Sequence, residues 1–201
     1  MSNVAPFPKR DVIIIIGKTG FGKSTWLNKY ARGLPRIFAF DPFRAFPAEY
    51  ISGEELITRF ETGKFREHPR YSLGTYALSD LELFGSVAYE TGNCAFVIEE
   101  CGVAFYKGER ISECMQEWIF LGRHKSLTLI FTAQRATSIP IELRSQASRF
   151  VTFRQTEKSD VKWTGEYIGD LVDELPNLDE LECIDADKKS VTRYRISPLG
   201  Q

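Results

Sequence analysis

Val12-Ile13-Ile14-Ile15-Ile16 runs straight into Gly17-Lys18-Thr19-Gly20-Phe21-Gly22-Lys23-Ser24, and this stretch decides the fold. An unbroken β-branched run reads as a strand buried on both faces, as in a parallel sheet covered on each side. The segment after it fits G-x-x-x-x-G-K-[ST] at every fixed position. Glycines let backbone N–H groups turn inward and form a nest for an anion. A helix expected from about Ser24 to Arg32, ended by Gly33 and Pro35, adds the positive end of its dipole. Strand, loop and helix in this order make a site for nucleotide phosphates. Gly17, Lys18, Thr19, Gly20, Phe21, Gly22, Lys23, Ser24 and Thr25 are the binding residues. Lys23 is suited to bridge β- and γ-phosphates, Ser24 to offer its hydroxyl to Mg2+, and Thr25 to face the α-phosphate. ATP and Mg2+ are the expected ligands.

Outward from this loop, short apolar runs alternate with helical stretches. Ile37–Phe40, Tyr71–Leu78, Ala95–Ile98, Leu127–Phe131 and Phe150–Phe153 read as strands. Gly53–Phe60, capped by Ser52, a segment from Ser79-Asp80 to about Glu90, and Ile111–Leu121 read as helices. The alternation predicts an α/β fold, and together with the phosphate loop it resembles the RecA-like, additional-strand type. It has a mostly parallel central sheet with helices on both faces. Leu181–Ile184 and Val191–Ile196 flank a polar turn and predict a C-terminal β-hairpin extending the sheet. The expected organisation is an arm over 1–10, an ATPase core over 11–176 and the hairpin extension over 177–201.

Composition narrows the class. The 201 residues are 43% hydrophobic and 26% charged with formal net charge −1, so no global field draws the chain to nucleic acid or anionic membrane. A DNA contact then needs a local patch or an encircling oligomer. Cys94, Cys101, Cys114 and Cys183 lack metal-ligand spacing and read as free thiols. No signal peptide and no transmembrane segment is expected. His68 and His124 read as isolated surface residues, and Trp26, Trp118 and Trp163 as core.

The second acidic element separates kinds of phosphate-loop protein. Ala95-Phe96-Val97-Ile98 ends in Glu99-Glu100. Glu99 is assigned to Mg2+, directly or through water, and Glu100 to orienting the attacking water. Gln134, at the tip of the strand Leu127–Phe131, is placed to sense the γ-phosphate, because strand carboxyl ends gather around ligands in such sheets.

Gly122-Arg123-His124, Leu129–Arg135 and Ser145–Arg154, together with Asp41-Pro42, resemble the HerA–FtsK superfamily of DNA-pumping ATPases over about residues 11–156. The resemblance implies that Arg123 is an arginine finger inserted into a neighbouring subunit's site, with Arg135, Arg144 and Arg149 as alternatives. It implies a homo-oligomeric ring of roughly five or six subunits acting on double-stranded DNA. With the phosphate loop at residue 17 and a short stretch after Phe153, neither an N-terminal barrel nor a winged helix is expected. The profile is therefore similar to the small genome-packaging ATPases of membrane-containing icosahedral viruses. That implies a host-cytoplasmic or virion-associated motor, with a capsid vertex or membrane protein as partner. The loop carrying Phe105, Tyr106, Lys107 and Arg110 is the candidate DNA grip, through Lys107 and Arg110. Other readings stay open: a cellular or conjugative pump, a nucleoside kinase, or a non-catalytic nucleotide-binding assembly protein. A guanine-specific switch is not expected, since no N-K-x-D element occurs.

Overall fold

The computed structural model describes residues 11–66, 69–105 and 111–198. The expected arm over 1–10, together with His68, Tyr106, Lys107 and Arg110, falls outside them. In chain order the strands are β1 (Val12–Ile16), β2 (Ile37–Phe40), β3 (Glu49–Tyr50), β4 (Arg70–Leu73), β5 (Cys94–Ile98), β6 (Leu127–Ala133), β7 (Arg149–Thr152), β8 (Glu182–Asp187) and β9 (Val191–Arg195). The helices are α1 (Lys23–Ala31), α2 (Gly53–Glu61), α3 (Leu78–Thr91), α4 (Cys101–Ala104), α5 (Glu113–Leu121), α6 (Ile141–Gln146) and α7 (Lys158–Ile168).

The strands form one sheet in the order β3-β4-β2-β5-β6-β1-β7-β8-β9. Pairing is parallel from β3 through to β7 and antiparallel for β7–β8 and β8–β9. The C-terminal hairpin therefore extends the sheet, as its sequence predicts. β6 lies between β1 and β5, which makes it the additional strand of this fold type.

The isoleucine run sits at the centre of this sheet, and its alternation divides the core. Val12, Ile14 and Ile16 join a cluster with Phe96, Phe131, Phe150 and side chains of α2, α3, α5 and α7. Ile13 and Ile15 face the other way, against Trp26, Leu27 and Ala31 of α1. Every residue of β1 is buried, so truncating one of its isoleucines to Ala should cost about 2–5 kcal/mol. The two faces are clad unequally. Among the described residues α1 is the one helix contributing buried apolar side chains to its face, helped by Phe46, Cys183 and Ile196.

Several local readings shift. The strand expected over Tyr71–Leu78 ends at Leu73, because the chain turns at Gly74 beneath Arg44; a Cβ there would lie 2.5 Å from the arginine's Nε. The helix after it starts at Leu78 with Ala77 at its cap, not at Ser79-Asp80, since Thr75 Oγ1 accepts from Ala77 N at 3.1 Å and sets the turn earlier. Ser52 caps α2 as expected, accepting from Glu55 N at 3.1 Å. α5 begins at Glu113, after Ser112, whose Oγ accepts from Met115 N. α6 and α7 were not legible as separate helices, although Val161, Thr164 and Ile168 in α7 carry the required spacing. Trp26, Trp118 and Trp163 are buried, and the four cysteines are free, with only Cys114 part-exposed.

Candidate functional site

All the strand ends that matter meet at the carboxyl edge of the parallel strands. The loop after β1 is stitched on both sides. Gly17 N donates to Ala133 O at the end of β6, and Lys18 N to Arg154 O just past β7, each at 3.2 Å. Gly17 has φ 150, and a Cβ there would lie 2.5 Å from Phe153 Cβ, so only glycine fits. Gly22 (φ 118) is wedged against Phe153 and Leu181 in the same way. As the cap of α1 it offers no side chain to the helix. The first N–H groups of α1 are thereby left for an anion.

Lys23 Nζ donates to Gly17 O at 2.7 Å and Lys18 O at 3.3 Å, which folds its side chain over the loop. Burial pulls its pKa down, opposed by the charges of Glu100 and Glu99. Lys18, Thr19, Gly20 and Ser24 are exposed, while Thr25 is half-buried. Phe21 is half-buried, with the Arg154 guanidinium 5.6 Å from its ring centre.

The two glutamates after β5 have different surroundings. Glu99 is 8% exposed, and its Oε2 accepts from Thr132 Oγ1 at 3.0 Å. Burial pushes its carboxyl up to about 7, countered by the Thr132 hydrogen bond, with Asp41 and Glu100 raising it and Lys23 lowering it. Glu100 adopts a left-handed backbone (φ 63, ψ 81) at the cap of α4. A side-chain-bearing residue holds that conformation at a cost, and such strain collects at functional sites. Its N–H donates to Thr132 Oγ1 at 3.0 Å, and its Oε1 accepts from Gln134 N at 3.3 Å and Gly102 N at 3.4 Å.

Thr132 therefore ties both glutamates together. Its oxygen receives the Glu100 N–H, so its own proton is directed to Glu99. The sequence carried no sign of this role, because a threonine inside an apolar strand reads as β-branched filler. Gln134 is exposed at the tip, with its carbonyl accepting from the buried Gln155 Nε2 at 3.4 Å. Asp41, of the Asp41-Pro42 pair, is fully buried but faces its own turn, accepting from Phe46 N at 2.6 Å and Tyr50 OH at 2.7 Å.

Ser24 and Glu99 present hard oxygen donors of the kind Mg2+ prefers. Among the described residues no group of three or more His, Cys, Asp and Glu side chains could hold a metal ion.

The candidate arginines separate clearly. Arg135 Nε donates to the fully buried Asp160 at 2.5 Å. Arg149 makes a bidentate pair with Asp185 at 2.8 and 2.6 Å. Arg144 lies over the Trp163 ring at 5.2 Å. Arg123 is exposed in a 3₁₀ turn, Gly122–Lys125, and its Nε donates to the ring of His124 at 3.4 Å. That turn precedes β6, whose seven residues separate it by about 20 Å from the carboxyl-edge site of its own chain. The structure does not bring Arg123 together with the loop, Glu99, Glu100 and Gln134 of the same chain. Phe105 turns inward toward Phe131, at 6.5 Å between ring centres.

Parallel strands with β6 inserted between β1 and β5, a glycine-rich loop into α1 and acidic residues beyond β5 define a RecA-like P-loop NTPase fold. No protein-family model and no curated protein matches the chain. Solved structures do. The genome packaging NTPase B204 of Sulfolobus turreted icosahedral virus 2, in complex with AMPPCP, superposes with TM-score 0.74 at 17% identity, over 95% of this chain and 98% of that one. The pCW3 conjugation coupling protein TcpA gives 0.60 at 13% identity, over 93% of this chain and 60% of that chain. The cytoplasmic domain of the Thermomonospora curvata type VII secretion ATPase EccC gives 0.57 at 15%, over 92% and 24%. The likeness to DNA-pumping ATPases read from the sequence thus holds at the level of the fold. Among the described residues no helix is long and apolar enough to cross a membrane.

Proposed function

We propose that the chain is an ATP-driven double-stranded DNA translocase that loads a viral genome into its capsid. The observation that carries the reading is the convergence of the phosphate loop, Glu99, Glu100 and the Thr132–Gln134 strand tip on one edge of the sheet. The two-way coverage with a genome packaging NTPase supports the choice of packaging over conjugation or secretion.

In this reading the loop N–H groups and Lys23 bind the β- and γ-phosphates of ATP, and Ser24 and Glu99 hold Mg2+. Held by Ser24 and Glu99, the ion would supply charge neutralisation at the phosphates. Glu100 releases Gln134 N and Gly102 N and orients the attacking water, while Gln134 senses the γ-phosphate. Attack by the water oxygen breaks the bond from the γ-phosphorus to the β-phosphate oxygen. Arg123 acts on a neighbour's nucleotide, because its own is at the opposite end of β6. Its fork stabilises charge developing on the transferred phosphoryl group. The ring of roughly five or six subunits surrounds DNA, with Lys107 and Arg110 as backbone contacts. It works in the host cytoplasm or at the virion, beside a capsid vertex or membrane protein.

Phosphate release measured with and without double-stranded DNA tests this. Stimulation by DNA is expected. Transfer of the γ-phosphate to a nucleoside without free phosphate would make the protein a kinase, and binding without turnover would make it a scaffold.

A further inference from the structure

The four residues that open the phosphate helix, Gly22 to Thr25, are bracketed by two anchors, and both come from the C-terminal hairpin segment. Before them, Phe21 O accepts from Leu181 N at 3.0 Å. Leu181 holds φ 63 and is itself tied into the hairpin, its carbonyl accepting from Ile196 N at 2.8 Å. Its side chain lies against Gly22, 3.1 Å from where a Cβ would be. After them, Trp26 Nε1 donates to Tyr194 OH at 2.8 Å. The Tyr194 hydroxyl in turn donates a hydrogen bond to Asp185 Oδ2 at 2.8 Å. Asp185 is nine-tenths buried and receives Arg149 in a bidentate pair. The Arg149 guanidinium lies 5.0 Å from the Trp26 ring centre and 5.7 Å from that of Tyr30, which are stacked on each other.

Each hydrogen of this chain has one acceptor. Trp26 N–H can only donate, a carboxylate can only accept, and the tyrosine hydroxyl between them does both. The direction of the α1 axis is therefore fixed through Tyr194 to a strand that joins the sheet beyond β7. The aim of the helix's first N–H groups at a phosphate depends on that axis, and a small misalignment weakens such bonds steeply.

We propose that the hairpin is part of the nucleotide site, with Tyr194 as a positioning residue that sets α1 for phosphate binding through Trp26. This rests on the nucleotide-binding reading above. Tyr194 reaches the site through Trp26, whose Nε1 donates to its hydroxyl. Its loss should loosen the grip on phosphate more than it slows chemistry.

The test measures AMPPCP affinity by calorimetry for wild type, Tyr194→Phe, Trp26→Phe and the double variant. Turnover and melting temperature without nucleotide are recorded alongside. Each single variant should weaken binding about 5- to 10-fold, the worth of one hydrogen bond. The double variant should be no weaker than the poorer single, because both remove the same bond. kcat at saturating ATP should stay within about twofold, with KM rising in step with Kd. Unchanged affinity in Tyr194→Phe, or two penalties that multiply, overturns the proposal while leaving nucleotide binding intact. A fall in kcat and melting temperature without a change in Kd assigns the network to folding alone and overturns it too. Failure of the wild-type chain to bind AMPPCP defeats the nucleotide reading itself and this proposal with it.

Discussion

The two flanks of the phosphate loop are built on opposite terms. On the β6 side, carboxylates stand close together. Glu99 is buried with its pKa pushed up to about 7, and Glu100 is held in a left-handed backbone by donors of the β6 tip and of α4. On the hairpin side the buried Asp185 is matched to donors, Arg149 and Tyr194, in full. In the proposed function, one flank keeps charge poorly compensated, to meet phosphate, metal and water. The other fixes the helix that receives them. Stability and reactivity are thus separated by the width of one loop.

The contrast breaks most easily at Glu100. Glu100→Gln should lower ATP turnover at least about 100-fold with nucleotide still bound; a variant that turns over normally removes the water-orienting role. Arg123→Ala should cost about as much, since arginine fingers contribute on the order of 10³-fold or more. Here the decisive measurement is mixing. Arg123→Ala subunits supply intact loops and Lys23→Ala subunits supply intact arginines, so mixed assemblies should regain activity that neither has alone. An inert mixture would assign Arg123 a surface role.

A smaller effect is expected at Thr132. Thr132→Val keeps the shape but leaves the Glu100 N–H and Glu99 Oε2 without their shared partner. kcat should fall about 10-fold, with KM little changed, and Thr132→Ser should restore most of it. Equal losses in Val and Ser would mean that packing, not the hydroxyl, matters there.

The last effect is one of stability and not of turnover. Glu99 has its carboxyl raised from 4.5 to about 7 in the folded chain. Its neutral form is favoured by folding, so that contribution is complete below about pH 4.5 and is lost as pH rises through about 7. Glu99→Gln should therefore raise the melting temperature of the nucleotide-free protein at pH 8. The gain is up to about 3 kcal/mol, or several degrees. It should vanish at pH 5. A gain of the same size at both values would point to packing and not to charge.

What could be read beforehand follows the range of the interactions. The isoleucine run, the glycine loop and Glu99-Glu100 are contiguous signals, and each emerges where expected. The partners that give them meaning are distant in the chain. Thr132 meets Glu99 across 33 positions, and Trp26 meets Tyr194 across 168. No local pattern encodes such pairs. The same holds for the arginines. Arg135 and Arg149 look as available as Arg123 until Asp160 and Asp185 are found beside them. Phe105, just after α4, likewise finds its packing partner, Phe131, on a distant strand.

The central place of β1 bears on how the protein comes into being. Among the described residues it is the first strand, yet its partners there are β6 and β7, and Val12 N donates to Ser148 Oγ across 136 positions. An emerging chain can pair β2 with β4 and β5 early, while β1 waits for residues far behind it on the ribosome. Sheets closed by such distant pairs form slowly and expose unpaired apolar strands meanwhile. The isoleucine run beside the phosphate loop is thus the segment most in need of shelter during synthesis. The loop takes its final shape only when β6 and the chain just past β7 have arrived to hold Gly17 and Lys18.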